Sequence, residues 1–212
     1  MLLNGFGEHN IQGIGDKHIP LIHNMMNTDV AVAVNDRSTD GIGVLWNTEA
    51  GREYLVSRRG VDDAVVRQLG DIGLSGVANI LAAIKMAKYL DMGPSDVIVT
   101  VATDGYAMYG SEREKAIERY FGGSFDAVNA GEVFGEHLLG ETTDHMRELT
   151  HEDRTRIFNL GYFTWVEQQG VSIEEFTARR SPQFWTGIRD VIPVWDRMIE
   201  EFNADTGALE RL

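Results

Sequence analysis

The chain has 212 residues, of which 43% are hydrophobic and 25% charged, a composition typical of globular proteins with an apolar core. Its formal net charge of −14 at pH 7 disfavours binding to nucleic acid and to anionic membranes. Cysteine is absent, which excludes disulfides, thiolate catalysis and cysteine-ligated metals. With no signal-peptide pattern and no apolar run long enough to cross a bilayer, we expect a soluble, cytoplasmic protein.

The first half of the chain alternates strand-like and helical patterns. Residues 29–35 (DVAVAVN) form a short apolar run typical of a buried strand. Residues 97–102 (VIVTVA) form a second such run, which ends in Thr103, Asp104 and Gly105. Helical patterns lie between them, at about 38–59, 61–72 and 75–90, with Ser75 as a candidate N-cap.

The order strand, helices, strand is that of a parallel α/β sheet. Both runs are apolar on both faces, as central parallel strands are. Two such strands, or three with residues 1–3, would leave the edges of the sheet unpaired. The sequence therefore predicts an α/β fold in which helices flank a partial parallel sheet. From about Glu112 the pattern becomes polar and helical, and we expect 121–212 to be a helical extension that packs on residues 1–120 or on a partner.

A glycine-rich loop, HNIQGIGDKHIP, occupies residues 9–20. Gly13 and Gly15 would allow backbone to approach a ligand, but the third glycine of a dinucleotide-binding fingerprint is missing. Asp16, His18 and His23 have side chains of metal-ligating type without a standard ligand spacing. We therefore predict no metal site.

Asp104 is the best candidate for chemistry outside that loop. It follows the second predicted strand directly, and open α/β sheets bind their ligands at the carboxyl ends of strands. A turn residue that caps the next helix is an equally good interpretation of the same pattern.

Four stretches, taken in order, resemble the fold type II pyridoxal-phosphate enzymes, the family of cysteine synthase and the tryptophan synthase β chain. They are HNIQGIGDKHIP, DVAVAVND, GLSGVANILAAIKMAK and VIVTVATDGYAMY, within roughly residues 1–120. The resemblance implies that the glycine-rich loop contacts the substrate, through Gly13, Ile14, Gly15, Asp16 and His18. It also implies that Thr103, Asp104 and Gly105 bind the cofactor, with either Asp104 or Thr103 beside the pyridine nitrogen.

The family's Schiff-base lysine and phosphate-binding loop lie upstream of the glycine-rich loop, and this sequence has no counterpart of either. None of Lys17, Lys85, Lys88 and Lys115 stands in the context of that lysine. The resemblance therefore implies a split, heteromeric enzyme. This chain would supply the C-terminal half, and a second protein subunit would carry the N-terminal half, with pyridoxal 5'-phosphate shared between them.

The implied activity is that of a lyase or transferase subunit, catalysing β-elimination or β-replacement on a small α-amino acid. Two alternatives belong to other classes. One is a non-catalytic regulatory or structural subunit derived from such an enzyme, and the other is a stand-alone ligand-binding α/β protein.

Overall fold

The computed structural model describes residues 5–11, 14 and 17–211. The chain is 64% helical. Its α-helices are α1 (Asp36–Asn47), α2 (Glu49–Arg59), α3 (Asp63–Gln68), α4 (Leu74–Tyr89), α5 (Gly110–Phe121), α6 (Ala127–Phe134), α7 (His151–Leu160), α8 (Ile173–Ala178), α9 (Pro182–Asp190) and α10 (Ile192–Thr206). Short 3-10 turns lie at Met25–Asn27, Leu69–Asp71, Tyr106–Tyr109 and Ala208–Arg211, and π-helical turns at Gly135–Leu139 and Phe163–Gln168. The strands are β1 (Val30–Val32) and β2 (Met146–Glu148).

The predicted partial parallel sheet flanked by helices is wrong. β1 and β2 pair antiparallel, with Val30 opposite Glu148 and Val32 opposite Met146, and form a two-stranded sheet. No further strand is present among the residues that the structure describes. β1 does fall within the predicted run 29–35. Its partner β2 is a short polar segment more than 100 residues further along the chain, and its sequence has no apolar pattern that would predict a strand.

The second predicted strand is neither paired nor buried. Residues 97–102 lack any turn or bend, and Val97 and Val99 are 80% and 90% exposed. A β-branched run favours the backbone of a strand, but a sheet exists only where a neighbouring strand accepts its hydrogen bonds. The described part of the chain provides no such neighbour, so the apolar pattern alone did not produce burial.

The predicted helical segments are confirmed, although their ends shift. The segment 38–59 is two helices, α1 and α2, because the Thr48 side chain caps a new helix by accepting from the Gly51 N–H. Gly60 ends α2 in the left-handed conformation, directly after the predicted segment 38–59. The N-cap of α4 is Gly73 rather than Ser75.

The structure divides into two compact units. The central unit contains residues 8–11, 14, 17 and 30–148, and the terminal unit contains residues 5–7, 18–29 and 149–211. The predicted boundary between residues 120 and 121 falls inside the central unit and stays a prediction.

The core of the central unit is formed by α1, α2, α4 and α6. Fully buried side chains come from each of these helices, and together with a buried valine of α3 they make one cluster that includes Ile42, Leu45, Leu55, Val66, Val77, Leu81, Ala130 and Val133. Burying each of the larger aliphatic side chains stabilises the fold by roughly 1.5–3 kcal/mol before the entropy of ordering is subtracted. This packing holds α4 in place, and with it the segment that its first turn contacts.

The core of the terminal unit surrounds Arg179. This side chain is only 6% exposed, and its guanidinium lies 4.9 Å and 4.5 Å from the ring centroids of Phe158 and Phe176. It also donates to the carbonyl oxygens of Leu21 and Phe176. Cation–π contacts and backbone acceptors thus replace water around a buried cation.

In the described residues no single helix is both long and apolar enough to span a membrane. The helix pair 63–71 and 74–89 reaches that length and composition only when taken together, and it is bent by 119°.

Candidate functional site

The end of the second predicted strand lies against the start of α4. The Gly73 N–H donates to the Asp104 carbonyl oxygen over 2.8 Å. The Ser75 and Thr103 hydroxyl oxygens are 2.7 Å apart. A Cβ atom on Gly73 would lie 2.1 Å from Asp104 Oδ1, so this close approach requires glycine. Two of the four stretches that carry the resemblance therefore meet here.

We call residues 73–75 and 103–105, together with Tyr109, the α4 site. The Asp104 carboxylate accepts from two hydroxyls, with Tyr109 donating to Oδ2 and Thr103 to Oδ1 at 3.2 Å. Burial, followed by the hydrogen bond to Asp104 and its charge, raises the pKa of Tyr109 to about 12. Tyr109 therefore remains protonated, and a hydrogen-bond donor, at neutral pH.

An apolar cluster of buried residues packs around Leu74 and Tyr109 of the α4 site. It contains Ile11, Leu74, Ala78, Tyr106 and Tyr109, all buried. The two tyrosine rings lie 5.8 Å apart and are tilted, and burial raises the pKa of Tyr106. Next to this buried cluster, Asp104 is half-buried and Thr103 is exposed.

The predicted substrate-binding loop lies mostly outside the described residues. Gly13, Gly15 and Asp16 are not among them. Ile14 belongs to the central unit and is 49% exposed. His18 belongs to the terminal unit, where it forms an isolated β-bridge with Phe6. A substrate contact at any of these positions stays a prediction.

A buried carboxylate, Asp40, was not among the predicted site residues. It lies on α1, is 4% exposed, and accepts from Asn10 Nδ2 at both oxygens, over 2.9 Å and 2.8 Å. Burial raises the pKa of Asp40 to about 6, and the hydrogen bond from Asn10 opposes part of that shift. A cavity of about 160 Å³ adjoins it, lined also by Glu112, Lys115 and Arg119. The signal in the sequence was an aspartate directly before the apolar residues of α1, and the N-cap of that helix is Asn35.

A second polar pair in the central unit joins α1 to the turn after α6. The Ser38 hydroxyl oxygen and His137 Nδ1 are 3.1 Å apart, and both residues are buried. Burial lowers the pKa of His137, so the imidazole is neutral at physiological pH. A nucleophilic serine of the hydrolase type lies at a sharp, exposed turn. Ser38 instead lies within helix α1 and is buried. The pair therefore satisfies buried polar groups and does not form a catalytic dyad.

Each lysine of the chain makes an ion pair or a hydrogen bond with another part of the chain. Lys85 is 4% exposed, and its Nζ lies 3.3 Å from Glu141 and 3.1 Å from the Ala33 carbonyl oxygen. The other three that we considered are also engaged: Lys88 donates to carbonyl oxygens at Leu139 and Glu141, Lys115 pairs with Glu112, and Lys17 pairs with Glu8. Lys85 thus fixes β1 to the core, a structural role.

Comparison of the chain with models of protein families, with curated proteins and with solved structures found no match. Among the described residues, no group of three histidine, aspartate or glutamate side chains is placed to hold a metal ion. A proposal of function therefore rests on the carboxylate and hydroxyl groups of the α4 site.

Proposed function

We propose that this chain is one subunit of a split, heteromeric pyridoxal-phosphate-dependent enzyme that catalyses β-elimination or β-replacement on a small α-amino acid. A second polypeptide would supply the lysine that binds the cofactor and the loop that binds its phosphate. The contact between the first turn of α4 and residues 103–105 carries the proposal. It gathers a carboxylate and three hydroxyls at the segment that, by the resemblance, binds the pyridine ring.

The α4 site fits the pyridine ring in its chemistry. A protonated ring nitrogen needs an acceptor, and the Asp104 carboxylate keeps lone pairs beyond those that Tyr109 and Thr103 occupy. When bound, pyridoxal phosphate supplies an electron sink for the carbanion that forms at Cα of the amino acid. Asp104 would accept the ring N–H, while Tyr109 and Thr103 hold its carboxylate in one orientation.

The contacts of the lysines support the requirement for a second polypeptide. A lysine that binds the cofactor must present a free amine to it. The Lys85 amine is buried in an ion pair with Glu141, and the Lys88 amine donates to two carbonyl oxygens. Neither amine is placed at the α4 site, so the reactive lysine is expected to come from the partner.

The test is borohydride reduction in the presence of pyridoxal phosphate, followed by mass spectrometry of the peptides. For this chain alone we expect no adduct of one cofactor per chain at one lysine. For its complex with a lysine-bearing half, for which the product of a neighbouring gene is the first candidate, we expect one such adduct on the partner. A stoichiometric adduct at a single lysine of this chain alone would contradict the proposal.

A non-catalytic subunit is the second candidate. Exposed apolar segments such as residues 97–101 suit a protein that binds a partner, whether that protein is catalytic or not. The same complex separates the two functions. If this chain is catalytic, Asp104→Asn changes the visible absorbance of the bound cofactor. If the chain only regulates, that substitution leaves the absorbance unchanged.

A further inference from the structure

Residues 97–101, which we call the open strand, expose apolar side chains to solvent. Val97, Val99 and Val101 are 80%, 90% and 64% exposed. No turn or bend interrupts residues 97–102, and in an extended strand side chains alternate between two sides, which would place these three valines together on one side. Ile98, on the other side, is 41% exposed. Exposure of this many β-branched residues in one row is unusual for a folded surface.

Apart from one carbonyl oxygen, the backbone of the open strand is without hydrogen-bond partners among the described residues. Among the described residues, no hydrogen bond between backbone groups involves residues 97–103. The Val101 carbonyl oxygen accepts from Asn79 Nδ2 over 2.8 Å, which fixes the segment beside α4. A straight, β-branched segment with unpaired N–H and C=O groups is a template for another strand.

We propose that the open strand is a docking site for a partner polypeptide that binds by β-strand addition. The partner presents an open sheet edge to the backbone of residues 97–101 and apolar side chains to the three valines. The inference does not depend on pyridoxal phosphate. Because the open strand leads directly into Thr103 and Asp104, a partner bound there would lie beside the α4 site.

Charge decides which strand fits. Asp96 directly precedes the open strand and Asp104 follows it by three residues, and no lysine or arginine lies between residues 89 and 112. A second copy of this chain would bring the same acidic ends together, and its net charge of −14 would add repulsion at longer range. We therefore commit to a different polypeptide, one whose edge strand carries lysine or arginine at its ends.

The test uses synthetic strand peptides as probes and hydrogen–deuterium exchange of the full chain as the readout. The first probe alternates valine and threonine between terminal lysines. The second has terminal glutamates, and the third is the lysine peptide with alternate backbone nitrogens methylated, which removes donors for strand pairing. With the lysine peptide we expect exchange within 97–101 to slow by roughly tenfold or more, and with the methylated peptide we expect no change.

Two variants of Val99 separate strand addition from apolar adhesion. Val99→Pro removes one backbone donor at a side chain that is 90% exposed, and should abolish the protection without altering the circular dichroism of the chain. Val99→Thr keeps the donor and the β-branched shape and should retain the protection. Equal protection by the methylated peptide, or none by any probe, overturns strand addition.

The remaining outcomes concern the partner's chemistry. Equal protection by the glutamate peptide overturns the requirement for basic ends. A dimer of the chain alone in analytical ultracentrifugation, dissociated by Val99→Pro, would make a second copy the occupant and overturn our assignment. Every sample lacks pyridoxal phosphate, so failure of the proposed enzyme function leaves these results unaffected.

Discussion

Asp104 is the residue on which the proposed chemistry depends most directly. Asp104→Asn keeps the size of the side chain and removes the charge that stabilises a protonated ring nitrogen. In the complex with the lysine-bearing half we expect the cofactor to remain bound and kcat to fall by at least about tenfold, equivalent to roughly 1.4 kcal/mol. Steady-state kinetics and the ratio of cofactor to protein measure the two effects separately.

Thr103→Val is the matching variant, since the resemblance leaves either residue beside the nitrogen. It removes the hydroxyl that donates to Asp104 and keeps the β-branched shape. Full activity of Asp104→Asn together with loss of activity in Thr103→Val would assign the ring contact to Thr103. Equal and full activity of both would contradict a ring contact at this segment.

Asp40 makes the stability of the chain depend on pH. Burial raises the pKa of Asp40 from 3.8 to about 6 in the folded chain, so the folded state binds this proton more tightly than the unfolded state. The resulting stabilisation is fully present below pH 3.8 and is lost as the pH rises through about 6. At about 1.4 kcal/mol per pKa unit, the loss is on the order of 3 kcal/mol.

Asp40→Asn should remove that dependence. The amide is uncharged at every pH and keeps an acceptor for Asn10, so we expect the free energy of unfolding to rise by about 1–3 kcal/mol near pH 8 and by little near about pH 3.5, below the unfolded pKa of 3.8. Urea unfolding at both pH values measures the difference. Asp196→Asn, an exposed position on α10, is the control and should behave like the native chain. A destabilised Asp40→Asn near pH 8 would contradict a costly buried charge.

At the scale of elements, the contact between α4 and residues 103–105 can be tested by filling the space at Gly73. Gly73→Ala would place a methyl group 2.1 Å from Asp104 Oδ1, so the Asp104 side chain must move away from its two hydroxyl donors. We expect the free energy of unfolding to fall by about 1–3 kcal/mol. Gly110→Ala, at the start of α5 with no atom within 4 Å, is the control and should be neutral or stabilising by about 0.5 kcal/mol.

A double-mutant cycle shows whether Asp104 causes the cost at Gly73. Asp104→Ala removes the atoms that the new methyl group would meet. The double variant should therefore lose less stability than the sum of the two single variants, by roughly 0.5 kcal/mol or more. Additive losses would show that the two residues do not meet as described.

At the scale of the whole molecule, a net charge of −14 accompanies exposed apolar surface on both units. On α10, Trp195, Ile199 and Phe202 share one face and are 54%, 57% and 63% exposed. Repulsion between chains weakens as the pH approaches the isoelectric point near 4.8. We expect light scattering by the chain to rise steeply over that pH range because these apolar faces then associate.

Trp195→Glu should lower that scattering at a given protein concentration, because it interrupts the apolar face of α10. Arg197→Gln makes the same change in charge on the opposite face of the helix and should leave scattering nearly as it is in the native chain. If the two variants behave alike, net charge rather than the apolar face controls association.

The α4 site could be predicted from the sequence in part. Asp104 and Thr103 follow an apolar run and precede a glycine, a pattern that marks the end of a strand whether or not the strand is paired. Tyr109 was missed as the donor to Asp104, because a tyrosine five residues along a helical turn has no distinctive spacing. Asp40 was missed because nothing local indicates that Asn10 will reach it.

The sequence by itself determined the local elements: the helical segments within residues 38–90 and the extended, β-branched run at residues 97–102. These depend on contacts between near neighbours, which hydrophobic period, caps and β-branching describe. Only the tertiary structure decided that β1 pairs antiparallel with β2, that the open strand stays unpaired, and that Gly73 meets Asp104. Strand pairing and helix-to-loop contacts join distant residues, and the free energy of such a contact depends on where the rest of the chain is placed.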